Sequence, residues 1–283
     1  MTAVEWAGLG TVVAGMIAVF GLAIGSFLNV VAYRVPLGLS VVSPASACPG
    51  CGSEISARDN VPVLSWLVLR GKCRHCAEPI SPRYLVVEAI TAVVFVAIAL
   101  RFLPDVLGAA TAAAKVSGTL VLVAFLYLGA ISVALTAIDL DVHRLPDAIV
   151  LPSYAVGVVL LGVAALLGGQ GVAFATALAG AGILVAFYVI LALVKPGGMG
   201  MGDVKLAGVL GLFLGYLGWS ELIVGALAAF VLGGLFGVAV LISRRSQRGA
   251  SIPFGPWMFA GSAVAIFAAA PITNSYLTWV GLS

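Results

Sequence analysis

The chain has 283 residues, of which 62% are hydrophobic and only 9% charged, and its mean hydropathy is +1.20. A soluble domain carries roughly a quarter charged residues, so this composition excludes one and describes an integral membrane protein. The formal net charge of +3 is too small to point to nucleic acid.

The opening residues, MTAVEWAGLG, contain no Lys or Arg. A secretory signal would open with positive charge and close on a small-residue cleavage site. The first apolar run, roughly 8–32, is therefore expected to be a permanent helix, and a signal-anchor would give the same topology. The stretch GLGTVVAG within it breaks the G-x-G-x-x-G spacing and lies in an apolar run, so it does not mark a nucleotide site.

Residues 34–83 are the one sizeable soluble segment, rich in Pro, Ser, Cys and charge. All four cysteines lie there, as CPGC (Cys48, Cys51) and CRHC (Cys73, Cys76). Two C-x-x-C pairs about 20 residues apart suit a tetrahedral four-thiolate site. Soft thiolates select Zn(II) over Mg(II) or Ca(II). Disulfides would need an oxidising compartment, and a redox C-x-x-C would expect a βαβ context. His75, between Cys73 and Cys76, reads as a surface residue. So small an insert would draw folding energy from its metal.

Spanning takes roughly 20 apolar residues. Further spans are expected near 84–102, 117–138, 148–168, 172–194, 204–219, 221–242 and 253–270. The predicted fold is an all-α polytopic membrane protein of about eight transmembrane helices, with a small cytoplasmic zinc-binding insert between helices 1 and 2. The sixth span is short and Gly-rich, and is expected to be tilted, half-inserted or buried among its neighbours. Gly233 and Gly237 form a small-xxx-small pair in the seventh, which signals close helix packing.

Lys and Arg set the orientation. Arg34, Arg58, Arg70, Lys72, Arg74, Arg83, Arg144, Lys195, Lys205, Arg244, Arg245 and Arg248 fall on one face of an eight-span zigzag, and Arg101 and Lys115 on the other. The rich face is expected in the cytoplasm, with both termini outside. Glu88, at the start of the second span, is expected to pair with Arg83 or to orient an amine.

The third span ends in ALTAIDLDVHRLPDAIVLP, with Asp139, Asp141 and Asp147; Asp203 follows the fifth span behind Gly200 and Gly202. Two intervening spans return the chain to the face it left, so Asp139 and Asp203 can meet at the membrane boundary. Carboxylates near hydrocarbon are costly and default to a functional reading. Two that share a site cannot both ionise cheaply; one then takes a proton from water while the other polarises a carbonyl. Gly200 and Gly202 would allow a sharp turn and close approach of a substrate strand. Asp141 and Asp147 read as boundary residues, Asp147 as a helix cap. Asp203 is also suited to capping, and Lys205 to snorkelling. A carrier binding a cation at the two acids would expect acids near the midplane and inverted repeats. A zinc enzyme built on the insert would need an open coordination position.

At these residues the chain resembles the bifunctional prepilin leader peptidases with N-methyltransferase activity. GSFLNVVAYRVP (25–36), the two-Cys-pair insert through residue 88, IDLDVHRLPD (138–147), GMGMGDVKL (198–206) and IPFGPWMFAG (252–261) are similar to that family's signatures, in order and nearly end to end. G-x-G-D alone also occurs in presenilin-like proteases; the cysteines and PFGP separate the two. The resemblance implies catalysis by Asp139 and Asp203, with Gly200, Gly202, Lys205, Asp141 and Asp147 in support. It also implies a structural zinc on Cys48, Cys51, Cys73 and Cys76, and S-adenosylmethionine as methyl donor. The substrates it implies are pilin-like precursors, held by a hydrophobic segment, cut after a glycine on the cytoplasmic side of the bacterial inner membrane and then methylated on the new α-amine. The implied organisation is a first helix (1–33), a methyltransferase-associated insert (34–83) and an aspartic peptidase core of about seven helices (84–283).

Overall fold

A computed structural model describes residues 3–195, 198–243 and 253–281. Among them the chain is helical: α1 (Ala3–Arg34), α2 (Leu64–Val68), α3 (Arg83–Gly108), α4 (Ala112–Val142), α5 (Asp147–Gly168), α6 (Gly171–Val194), α7 (Met201–Leu217), α8 (Trp219–Ile242) and α9 (Gly255–Trp279). Two isolated bridges, Ala47 with Glu54 and Lys72 with Pro79, are the only β pairings among the described residues. Among the described residues seven helices are long and apolar enough to cross a membrane: α1, α3, α4, α5, α6, α8 and α9. The chain is a multi-pass membrane protein.

Contacts divide the chain into two compact units. The first holds the described residues up to Gly108 together with Phe125–Ala134; the second holds Ala109–Ala124 and everything from Leu135 onward.

In the first unit α1 lies against α3 at close range. A Cβ added at Gly25 would stand 2.7 Å from the Cα of Glu88, which is why that position has none. Leu28, Val87, Val133 and Ala134 form a small core, and the rings of Phe102 and Phe125 stack at 4.5 Å. Between α1 and α3 the insert makes two similar hairpin knuckles. In the first, the N–H of Gly52 donates to the carbonyl of Cys48 at 2.8 Å and that of Cys48 to Ser53 at 2.9 Å. The second repeats the pattern, Ala77 to Cys73 at 3.0 Å and Cys73 to Glu78 at 2.8 Å. The residue after each second cysteine is left-handed, Gly52 at φ 69° and Ala77 at φ 60°.

In the second unit α7 decides the architecture. It has 17 residues, about 26 Å at 1.5 Å per residue, short of the ~30 Å of a hydrocarbon core. Leu206 through Tyr216 are all buried. α7 nevertheless runs the depth of α6: Asp203 lies near one end, while at the other Tyr216 Oη donates to Gln170 Oε1, in the α5–α6 turn, at 2.9 Å. Thr176 Oγ1 donates to the Gly215 carbonyl at 2.8 Å, and a Cβ at Gly215 would fall 2.6 Å from the Thr176 carbonyl oxygen. Protein rather than lipid surrounds α7, so the eighth passage predicted from the sequence is made by a helix too short to count as a span. Gly233 of α8 packs on the ring of Phe254 and on Trp257, the close approach expected at that glycine.

Arg144, Lys195 and Lys205 gather at the Asp203 end of this unit. Lys115 lies at the other, beside Ser117, whose hydroxyl donates to the Ala164 carbonyl at 2.8 Å. Arg244, Arg245 and Arg248 lie outside the described residues.

Candidate active site

Asp139 sits in the last turn of α4 and is 5% exposed. His143 ends that helix in the left-handed conformation, its N–H closing on the Asp139 carbonyl at 3.0 Å. The chain turns through buried Leu145 into α5. Asp139 Oδ2 accepts the N–H of Gly255, the first residue of α9, at 3.0 Å.

Asp203 occupies the third position of α7. Its Oδ2 accepts the N–H of Gly200, the residue that caps the helix, at 3.2 Å. Each carboxylate therefore sits at a helix N-terminus, where unsatisfied N–H groups and the helix dipole favour an anion. The two lie close enough for the charge of one to act on the other. Leu145 is the shared floor. A Cβ at Gly202 would stand 3.0 Å from Leu145 Cβ, and one at Gly255 would stand 3.3 Å from Leu145 Cδ2 and 2.7 Å from Asp139 Oδ2. Three chain segments, the α4–α5 turn and the starts of α7 and α9, thus close around two acids 64 positions apart. Tyr188 of α6 is a buried ring set against Phe230 and Phe254 at 5.5 and 6.4 Å.

The neighbouring acids part company from this pair. Asp141, two residues on from Asp139, is exposed on another side of the helix. Asp147 opens α5 but does not cap it; the cap position is Pro146, and the Asp147 carboxylate takes Lys205 Nζ at 2.8 Å on both oxygens. Lys205 therefore ties α7 to α5 rather than snorkelling. Tyr154 Oη adds a second tie, donating to the Lys205 carbonyl at 2.6 Å. Asp203 is the third helical residue of α7 and not its N-cap. Leu145 and the N–H of Gly255 do not stand out as site residues in the sequence, although each lies within a quoted stretch, IDLDVHRLPD and IPFGPWMFAG.

In the first unit the four cysteines are free thiols, and their sulfurs all lie within 4.8 Å of one another. Cys48 Sγ and Cys76 Sγ are 3.7 Å apart. Zn–S bonds of about 2.3 Å in a tetrahedron set sulfurs ~3.8 Å apart, so this donor set fits a closed structural metal site. The hydroxyl and N–H of Ser53 bring the Cys51 thiol down to about 6, and the N–H groups of Cys76 and His75 lower Cys73. Cys76 moves the other way, to about 12, under burial and the neighbouring thiols, so the four sulfurs do not all ionise without a cation among them. Arg74 and Asp59 pair beside the site, and Arg74 holds the Asp59 carboxyl below its usual range. Glu88 is buried and accepts the Val63 N–H at 2.7 Å.

A helical membrane protein with two carboxylates held at neighbouring helix N-termini, and a separate four-thiol knuckle, is the class that these features define. Residues 19–102 match the bacterial peptidase A24 N-terminal domain and residues 125–238 the type IV leader peptidase family. The chain is 36% identical to a prepilin leader peptidase/N-methyltransferase of Aeromonas hydrophila, over 96% of each chain. It is 36% identical to one of Pseudomonas putida over 88% of each, and 32% identical to one of Pseudomonas aeruginosa over 92% of each. The chain belongs to the type IV leader peptidase family. No solved structure matches it.

Proposed function

We propose that this protein removes the leader from prepilin-like precursors by aspartic endopeptidase chemistry and then N-methylates the new terminus. The observation that carries the reading is that the helix starts seating Asp139 and Asp203, Gly255 of α9 and Gly200–Gly202 of α7, both close on Leu145. Gly255 and Gly200 each occupy an Oδ2, which leaves the Oδ1 of each acid for a water and the scissile carbonyl. One carboxylate is ionised and takes a proton from the water as its oxygen attacks the carbonyl carbon. The other, holding the single shared proton, donates it to the carbonyl oxygen. Collapse of the tetrahedral intermediate breaks the C–N bond, and a proton passes to the leaving amine.

The precursor is held in the bilayer by its hydrophobic segment, with its short basic leader on the cytoplasmic face of the bacterial inner membrane. The excess of Lys and Arg at the Asp203 end of the helices supports that side. Lys205 and Asp147 support the pair by fixing α7 on α5. In the second step the neutral α-amine attacks the methyl carbon of S-adenosylmethionine, the sulfonium sulfur leaves with the bonding pair, and the ammonium product loses a proton to water. The N-terminal half with its insert is assigned this step. Cys48, Cys51, Cys73 and Cys76 hold Zn(II), which supplies folding energy to the insert.

The test is cleavage of a prepilin-type precursor by the purified, reconstituted protein, followed by mass. Asp139→Ala and Asp203→Ala each stop cleavage, while Asp147→Ala retains at least part of it. Full cleavage by either of the first two variants would remove the dyad. A mass gain of one methyl group at the mature N-terminus, dependent on S-adenosylmethionine, tests the second step.

A further inference from the structure

The insert carries an apolar face that its own fold leaves uncovered. α2 has the sequence LSWLV, and its positions i, i+3 and i+4 are Leu64, Leu67 and Val68, which share one side of a helix. They are 60%, 54% and 75% exposed. The other side is pinned. Trp66 Nε1 donates to the Ile80 carbonyl at 3.2 Å, and Ser65 Oγ donates to the Arg58 carbonyl at 3.0 Å.

The depth at which this face lies is fixed by α3. The N–H of Val63, immediately before α2, donates to Glu88 Oε2 at 2.7 Å. Glu88 is five residues into a helix that starts at Arg83, about 7 Å along its axis at 1.5 Å per residue. Tyr84 and Tyr33, near the membrane-surface ends of α3 and α1, are both exposed, as residues of an interfacial aromatic belt are. Asn29 Nδ2 of α1 donates to the Tyr84 carbonyl at 3.2 Å, which levels the two helices. α2 therefore starts level with the first turns of α3, beside Tyr84, rather than beyond the end of that helix. Its attachment is strained: Val63 has φ 62° and ψ −52°, and the Leu64 N–H closes on the Pro62 carbonyl at 2.6 Å. That is a γ-turn of the rare, strained kind, here on a β-branched residue, and the buried Glu88 carboxylate holds it. Charge follows the same plan. Arg70 and Lys72 come directly after α2 and are exposed, and no carboxylate lies between Asn60 and Ala77.

We propose that α2 is a membrane-docking helix lying in the plane of the interface. Leu64, Leu67 and Val68 rest on the acyl boundary of the leaflet, and Arg70 and Lys72 meet the phosphates of anionic lipids. Burial of an apolar face together with basic residues at the headgroups is what drives interfacial binding. Docking fixes the height and tilt of the four-cysteine knuckle above the bilayer, which two membrane helices alone would leave free to pivot.

The test uses the full-length, metal-loaded protein in nanodiscs of phosphatidylcholine, alone or mixed with phosphatidylglycerol. An environment-sensitive fluorescent amino acid replaces Leu67 by codon suppression, and a control carries it at Glu54. The expected result at 67 is a blue-shifted emission, several-fold weaker quenching by aqueous iodide than at 54, and strong quenching by lipids brominated on the acyl chain. The variants R70Q and K72Q remove the extra shielding that phosphatidylglycerol gives. Equal iodide access at 67 and 54, with four thiols still metal-bound, would overturn the proposal. So would shielding seen only in discs that hold two copies, which would make the occupant a second chain. Bound metal is measured throughout, so that an unfolded insert is recognised as such.

Discussion

Gly255→Ala tests the site without replacing a titratable group. The backbone there does not need glycine for its dihedral angles. The added methyl, however, would stand 2.7 Å from Asp139 Oδ2 and 3.3 Å from Leu145 Cδ2. Something must move, and the carboxylate is the nearer of the two. Its hydrogen bond from the Gly255 N–H, 3.0 Å long, is then stretched or lost. A hydrogen bond to a charged group contributes about 1.5–3 kcal/mol. At 1.36 kcal/mol per factor of ten, that is a loss of about 10- to 150-fold in kcat for leader removal, with KM nearly unchanged. The assay is steady-state cleavage of a precursor by the reconstituted variant, with the thermal midpoint measured in parallel. Gly234→Ala is the control, since a Cβ at Gly234 meets nothing within 4 Å. Wild-type kcat in Gly255→Ala, or a loss matched by Gly234→Ala, would refute the role given to this contact.

The remaining expectations are smaller. Lys205→Met removes the ion pair with Asp147, whose side chains are 35% and 55% exposed. Exposed pairs contribute about 0–1 kcal/mol, so the unfolding midpoint should barely shift and part of the cleavage should survive; a collapse of the fold would contradict the assignment. Ala77→Gly relieves a left-handed alanine in the second knuckle and should stabilise the insert by about 1 kcal/mol, read as a higher chelator concentration for metal release; a lower one would oppose the reading. Removing the metal with a strong chelator, or Cys48→Ser, should unfold residues 44–80 by hydrogen exchange while exchange in α5–α9 stays protected. Loss of protection in both would show that the metal holds more than the insert.

Much of this was written in local sequence. Apolar runs long enough to cross a bilayer need no tertiary information, because each helix satisfies its own backbone hydrogen bonds. The two C-x-x-C pairs name their own geometry, since a metal site needs few residues at short spacings. Asp139 and Asp203 were legible because a carboxylate beside hydrocarbon demands a partner. What they do with Gly255, Leu145 and Gly200 was less so.

Sequence alone determined the helical elements, the two cysteine pairs that come together and the return of two acids to one end of the helices, because period, spacing and charge are local properties. Only the packing decided that α7 is buried by protein rather than lipid, that Lys205 is held by Asp147, that the N–H of Gly255 seats Asp139, and that Glu88 pins the turn at Val63. Each of those contacts joins residues tens of positions apart. Their partners are chosen by which helices lie side by side, and close approach depends on missing side chains as much as on those present.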